Sequence, residues 1–438
     1  MPERATLNQI TQVGAEVTPG TAVAATKLWQ ALSVTPGIKT DIAKFKPAGA
    51  KFTTIAALGK EWVEAKLEGV GCYNHMAYLM AMIMGYAAPV QQGGTTAYKW
   101  TATPGQNTED VIKTLTVEQG SQLRAGKFVY GLLTQLGLSI DRSGIKVSGS
   151  LLGQAYQDDI HLSTNATYTL TAGVAPPTAG TFTLTYSGQT TGAIAFGAAP
   201  AAVEAALEAL STVGAGNVEV VATVATGAGT LAVGGNVYTI EFTQALAQAP
   251  RTLTGTFTGL TAAGTIALAA GVTGVVPTAI PIQPMLPTDV DIYMDTTGAG
   301  IGGTKLTRAL KTEFDISDRY GEIWTLNSAV DGFAAHVETE PKVQLKLTVE
   351  ADAAGMAPLT VMRTGDKRFI QIKITSSVLA GVGYAYSFTL GLACVVTDVS
   401  EFKDEDGVYG IEWTFDVAYD ATWGKALIAE LIDVLTAL

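Results

Sequence analysis

The stretch YGLLTQLGLSIDRSGIKVSGSLLGQAY, Tyr130–Tyr156, decides the fold. Leu136, Leu138 and Ile140 alternate with Gln135, Gly137 and Ser139. After Asp141-Arg142-Ser143-Gly144, Ile145 and Val147 alternate with Lys146 and Ser148. Period-two alternation on both sides of a polar turn predicts a long hairpin with one buried face. A second stretch, YSFTLGLACVVTDVSEFKDEDGVYGIEWTFDVAY (Tyr386–Tyr419), has the same plan. Leu390, Leu392, Cys394 and Val396 share one parity, a polar turn ends in Asp406-Gly407, and Tyr409, Ile411, Trp413, Phe415 and Val417 resume the alternation.

Working outward from these hairpins, the two flanks of the chain align in order. Each opens with an arm and paired strands and holds one helical stretch, YNHMAYLMAMIMGY in the first and AAGMAPLTVMR in the second. Each then adds a strand, VIKTLTVEQGS or RFIQIKITSSV, before its hairpin. The expected fold is mainly β: two tandem sandwich or barrel units, residues 1–162 and 279–438, each with a flanking helix. Between them lies a module of residues 163–278 that contains only Glu204, Glu208, Glu219, Glu241 and Arg251 as charged residues. Proline-rich segments, AGVAPPTAG and VVPTAIPIQPMLP, bound it as extended linkers. Within the module, GTFTLTYSGQTTGAIAF predicts a hairpin bent at Ser187-Gly188. GAAPAAVEAALEALSTVGAGN predicts a helix entered at Pro200, and NVEVVATV, VYTIEFT and TLTGTFTG predict strands. The module is thus small and β-rich, Ig-like or α+β. The arm GAEVTPGTAVAATKLWQAL shows no evident partner in its own chain. The C-terminal GKALIAELIDVLTAL is read as a helix with Leu427, Leu431, Val434, Leu435 and Leu438 on one face.

Composition narrows the function. The chain has 438 residues and a formal net charge of -12, which excludes a nucleic-acid gripping surface, since phosphate binding needs cationic residues. Two cysteines, Cys72 and Cys394, are too few for a disulfide framework and point to a reducing compartment of synthesis. MPERATLNQITQVG has no basic and apolar secretory pattern, and the apolar run Tyr73 to Pro89 is shorter than the ~20 residues a bilayer span needs. Neither secretion nor membrane insertion is expected.

Catalytic constellations are missing. Cys72-Tyr-Asn-His75 has half-site metal spacing without a complementary pair. GAGIGG, Gly298 to Gly303, satisfies a dinucleotide-type glycine spacing but precedes TKLTRALKTEFDISDRY, a strand pattern where a helix is required. The carboxylates of EFKDEDGVYG crowd a hairpin tip without the spacing of a calcium loop. No enzyme, cofactor or metal role is expected, and elimination favours a structural protein.

Three passages carry a resemblance: EVTPGTAVAATKLW, the span from Lys99 to Gly120 (KWTATPG…IKTLTVEQG), and DVDIYMDTTGAGIGGTKLTRALKTEFDI, Asp289 to Ile316. With them, both flanks resemble the tail tube proteins of long, non-contractile bacteriophage tails. The middle segment is similar to another phage-associated module. The resemblance implies units whose inner sheets join into a closed barrel, rings that stack, and bridging arms and loops. It implies self-association, with a threefold pseudo-sixfold ring favoured over a hexamer, contacts with a tape-measure protein and other tail proteins, and DNA passing without specific binding. The protein would be made in the host cytoplasm and reside in the virion tail. Glu412 and Asp416, opposite the apolar residues of the second hairpin, are the candidate lumen-lining residues, and the module would face outward and be dispensable for assembly. The alternatives are a bacterial surface adhesin or surface-layer protein, or another phage particle component such as a terminator or decoration protein.

Overall fold

The computed structural model describes residues 9–438 apart from 122–123, 163, 226, 228, 262–263, 327–331 and 406. The fold is mainly β. The first flank supplies β1 (Ile10–Ala15), β2 (Leu32–Phe45), β3 (Ile55–Val70), α1 (Tyr73–Ile83), β4 (Tyr98–Ala102), β5 (Leu115–Ser121), β6 (Arg124–Asp141) and β7 (Gly144–Gly153). The middle segment supplies β8 (Thr167–Ala172), β9 (Ala179–Tyr186), α2 (Pro200–Glu208), β10 (Val218–Val224), β11 (Val237–Phe242), β12 (Leu253–Thr256) and β13 (Ile266–Ala270). The second flank supplies β14 (Val290–Asp295), β15 (Ala309–Ser317), β16 (Lys342–Glu350), α3 (Pro358–Thr364), β17 (Arg368–Gly381), β18 (Tyr384–Val399), β19 (Val408–Val417) and β20 (Leu427–Asp433).

Both long hairpins form. In the first, β6 and β7 meet at a turn where the Asp141 carboxylate accepts from the backbone N–H groups of Ser143 and Gly144, at 2.7 and 3.1 Å. An aspartate side chain that closes its own turn fixes the hairpin register. In the second, β18 and β19 pair with Leu390, Leu392 and Cys394 fully buried, as are Trp413 and Phe415. Tyr409 departs from the expected pattern: it is 78% exposed, because β19 runs past the end of the core there. Asp406 lies outside the described residues.

Pairing shows how the flanks correspond. One four-stranded sheet has the order β2-β3-β7-β6, and another has the order β15-β16-β19-β18, all antiparallel. Each has one bulge in its hairpin, and a threonine occupies it in both. Thr134 Oγ1 donates to Ser150 O at 3.1 Å, and Thr397 Oγ1 donates to Thr414 O at 3.3 Å. Lys66 faces Ser150 across one ladder as Lys346 faces Thr414 across the other. In both flanks the strand shared by the hairpin also enters a second sheet: the first half of β6 pairs with β5, and the first half of β18 with β17 and β20. β6 changes sheets at Tyr130, whose φ of 60° is unusual for a side-chain-bearing residue.

Three expectations are corrected. The C-terminal segment is not a helix: residues 427–433 form β20, between β18 and β4. Leu427, Ala429, Leu431 and Asp433 face inward at period two, and β20 is held by backbone ladders on both sides, which a helix could not supply. The arm does have partners. Glu16 is 2% exposed, and its carboxylate accepts from Gly20 N, Thr114 Oγ1, Thr116 Oγ1 and Tyr130 N at 2.7–3.0 Å. An ionisable group this buried is stable only with such a full set of donors, so it pins the arm to β5 and β6. Finally, α1 does not flank a unit. Every one of its residues is buried, and it contacts β6 of one flank and β20 and β18 of the other. A helix whose residues are almost all apolar belongs inside a core, and its Asn74 is buried with a partner, donating to Pro281 O at 2.7 Å. Since β4 of the first flank also pairs with β20 of the second, the two flanks share one interior.

The middle segment has its own core, which includes Leu170, Phe182, Val203, Leu207, Tyr238 and Phe242. β10-β11-β8-β13 make one sheet, β9 and β12 pair in another, and α2 packs against β10. The bend at Ser187-Gly188 has φ of 48° and 79°, the positive values a tight two-residue hairpin loop demands. Val275 N donates to Thr164 O at 2.8 Å, so the segment leaves close to where it enters. Thr278 and Ala279 then run parallel to Lys27 and Leu28, which extend the sheet of β1.

Candidate functional surface

The two four-stranded sheets are joined. β15 pairs antiparallel with the second half of β6, Thr312 to Ile140 and Ile316 to Leu136, and the result is one eight-stranded sheet, β2-β3-β7-β6-β15-β16-β19-β18. Side chains alternate faces along each strand, so a shared register places whole rows on one side. One face carries Val34, Leu67, Val147, Leu138, Phe314, Leu345 and Phe415, all buried. The opposite face is polar through its middle rows, with Trp62, Val70 and Leu152 as apolar positions on β3 and β7. One row reads Ser33, Glu68, Ser148, Gly137, Asp315, Gln344 and Asp416 across successive strands. The next reads Lys146, Ser139, Glu313, Lys346, Thr414 and Asp398.

Glu412 and Asp416 both lie on this polar face, Glu412 half-buried opposite Thr348 and Asp416 exposed. Gln344 Nε2 donates to Asp416 Oδ1 at 3.2 Å, and across the junction Gln135 Nε2 donates to Asp315 Oδ2 at 2.9 Å. Sequence reading identified these two carboxylates and missed other charged residues of the surface, among them Glu64, Glu68, Glu313, Asp315 and Asp398, with Lys39, Lys66, Lys146, Lys311, Lys342 and Lys346 interspersed. Their signal was present, since each alternates with apolar residues in its own strand. Only the register across strands shows that they share a side. Carboxylates outnumber lysines on the face, so its field is weakly negative.

Both outer edges of this sheet are open among the described residues. β2 pairs only with β3, and residues 395–399 of β18 pair only with β19. Beyond Ile38, β2 and β3 continue as a two-stranded ribbon to Phe45 and Ile55 with no strand on either side among the described residues. Ile38, Ile42, Phe45, Phe52, Ile55 and Leu58 are each about half exposed or more. A two-stranded ribbon is marginal by itself in water.

The glycine-rich loop does cradle an anion, and that anion is the chain's own Asp295. Its carboxylate accepts from the N–H groups of Gly302, Gly303 and Thr304 at 2.9–3.1 Å. The strand expected after the loop is β15, so neither the amides nor the topology fits a nucleotide. Cys72 precedes α1 and accepts from Gln283 N at 3.3 Å, while His75 is fully buried and accepts from Ala31 N at 3.5 Å. Burial pushes His75 down to about 4, so the ring is neutral at physiological pH.

Asp433 ends β20 in the shared interior with no exposed surface. Its Oδ1 accepts from Trp100 Nε1 at 2.9 Å and from Leu435 N at 3.0 Å, and its Oδ2 has no hydrogen-bond partner among the described residues. Burial raises this carboxyl to about 7, against the opposing pull of those two donors. Arg319, 3% exposed, clamps the flanks together. It pairs with Asp110 and with Glu338 Oε1 at 2.6 Å, and its Nε donates to Ile83 O at 3.2 Å.

Among the described residues, no helix is long and apolar enough to cross a membrane. Compared with known proteins, the chain matches no family model and no curated protein sequence.

Proposed function

We propose that the chain is the tube-building subunit of a long, non-contractile bacteriophage tail, assembling into stacked threefold rings whose channel conducts DNA. One observation carries the reading: two like sheets are joined edge to edge through β6 and β15 into a single sheet with a polar side, a packed side and two open edges. An open, flat edge invites uncontrolled pairing, and closure into a barrel removes it. Head-to-tail repetition of one contact produces such closure.

The dimensions support three copies. With about 4.8 Å between strands and a tilt of ~40°, three copies of the eight-stranded sheet close at a backbone diameter of about 48 Å, and two copies at about 32 Å. After about 5 Å of side chain on each wall, the larger ring leaves a channel for a hydrated duplex and the smaller one does not. The polar face becomes the lumen, where its mild negative field keeps DNA from adhering. The middle segment is tethered to the sheet of β1, across the core from the polar face, and so faces outward.

Electron microscopy of the purified protein tests the reading. Hollow rings or tubes with three outward knobs are expected. A protein that stays monomeric at millimolar concentration, even with preformed tails added as seeds, overturns it.

A further inference from the structure

The junction inside the chain specifies the junction between chains. The equivalences above, Thr134 with Thr397 and Lys66 with Lys346, set Leu136 equivalent to Val399 and Ile38 equivalent to Ile316. Within the chain Ile316 sits opposite Leu136, and each is 1% exposed. Their counterparts are less covered: Ile38 is 54% exposed, and Val399 is half-buried at the margin of the core. We propose that β2 of one copy pairs antiparallel with residues 398–400 of a second copy, with Ile38 opposite Val399 and Gly37 opposite Ser400. This inference rests on the tube reading and adds to it the edges, the partner and the register.

Charge and shape agree with that register. One step further along, Lys39 stands opposite Asp398, and both point to the polar face. Lys39 is 3.4 Å from Glu64 of its own chain at a solvent-exposed site, so the new pairing joins an existing charge cluster. Pro36 lies on the same edge, where a missing N–H removes one donor and restricts pairing to the segment beyond it. Ile38 and Val399 belong to strands at opposite ends of the sheet, about 34 Å apart across seven spacings, so they cannot meet within one copy. The contact runs head to tail and uses a different edge on each copy, as ring closure requires.

The test is disulfide trapping in the full chain, whose native Cys72 and Cys394 are buried. Directly opposed strand residues bring Cα atoms to about 4.5–5.5 Å, within the span a disulfide bridges. Ile38→Cys with Val399→Cys is expected to give an oxidation ladder that ends in a closed trimer. Either single variant, and the out-of-register pair Thr40→Cys with Val399→Cys, should cross-link at least ~10-fold less. Lys39→Asp should slow ring formation, and adding Asp398→Lys should restore it. Rings seen by microscopy without the in-register cross-link, or with equal cross-linking of the out-of-register pair, overturn the register and leave the tube standing. Absence of both rings and cross-links, in wild type and variants alike, overturns both.

Discussion

Replacing Asp433 by Asn isolates the energetic consequence of burying a carboxyl in the interior the two flanks share. Asn keeps an oxygen where Oδ1 accepts from Trp100 and Leu435, removes the titration, and puts an amide NH2 where Oδ2 has no partner, a pH-independent cost of about 1–3 kcal/mol. In the folded wild type this carboxyl titrates near 7, against 3.8 when unfolded. Between those values the folded state holds a proton that the unfolded state has released, so stability falls as pH rises through the window and stays low above it. A shift of about 3 units corresponds to roughly 4 kcal/mol at most. The stability of the variant relative to wild type should therefore rise by up to about 4 kcal/mol between pH 4 and pH 8. His75 acts in the opposite sense: its pKa is lowered to about 4 from 6.5, so its contribution is lost as pH falls from 6.5 toward 4. In wild type the two effects partly cancel in that range, and in the variant the acid-side loss stands alone. Urea unfolding of the unassembled chain at pH 4, 6 and 8, followed by tryptophan fluorescence, reads both effects. A difference between variant and wild type that does not change with pH would refute the reasoning.

Arg319→Met should cost about 3–5 kcal/mol, because Asp110 and Glu338 would remain partly buried without their cation; chemical denaturation measures the loss. Gly69→Ala should destabilise by about 1–3 kcal/mol, since a Cβ there would lie 2.2 Å from the backbone oxygen of Ala31; the same titration checks it. Glu412→Lys with Asp416→Lys should leave rings intact but slow DNA ejection, most strongly at low salt where cation–phosphate attraction is least screened. Unchanged ejection kinetics would remove these residues from the lumen. Deleting residues 164–277 should leave tubes without knobs, since Thr164 and Val275 are hydrogen-bonded neighbours and the segment's core is separate. Loss of all polymerisation would make the segment structural.

Both long hairpins were legible because a half-buried strand writes its period into the sequence, and polar turns mark where the alternation reverses. The middle segment was legible through its charge depletion and its prolines, and α1 through its uncharged, almost wholly apolar run. The C-terminal strand was not. Leu427, Leu431, Val434 and Leu435 satisfy a helical stripe, and the competing alternation of Leu427, Ala429, Leu431 and Asp433 hides behind a small residue and a buried acid. What decides between them is the pair of ladders offered by β18 and β4, the latter more than 300 residues away in sequence. The candidate surface divides in the same way. Sequence alone put Glu412 and Asp416 on the polar side of one strand, because side-chain parity is a local property. That Glu68, Asp315 and Lys346 share that side, and that the sheet ends in two unpaired edges, follows only from register between distant strands. Register is set by backbone hydrogen bonds and by the core they enclose, and no single strand contains either.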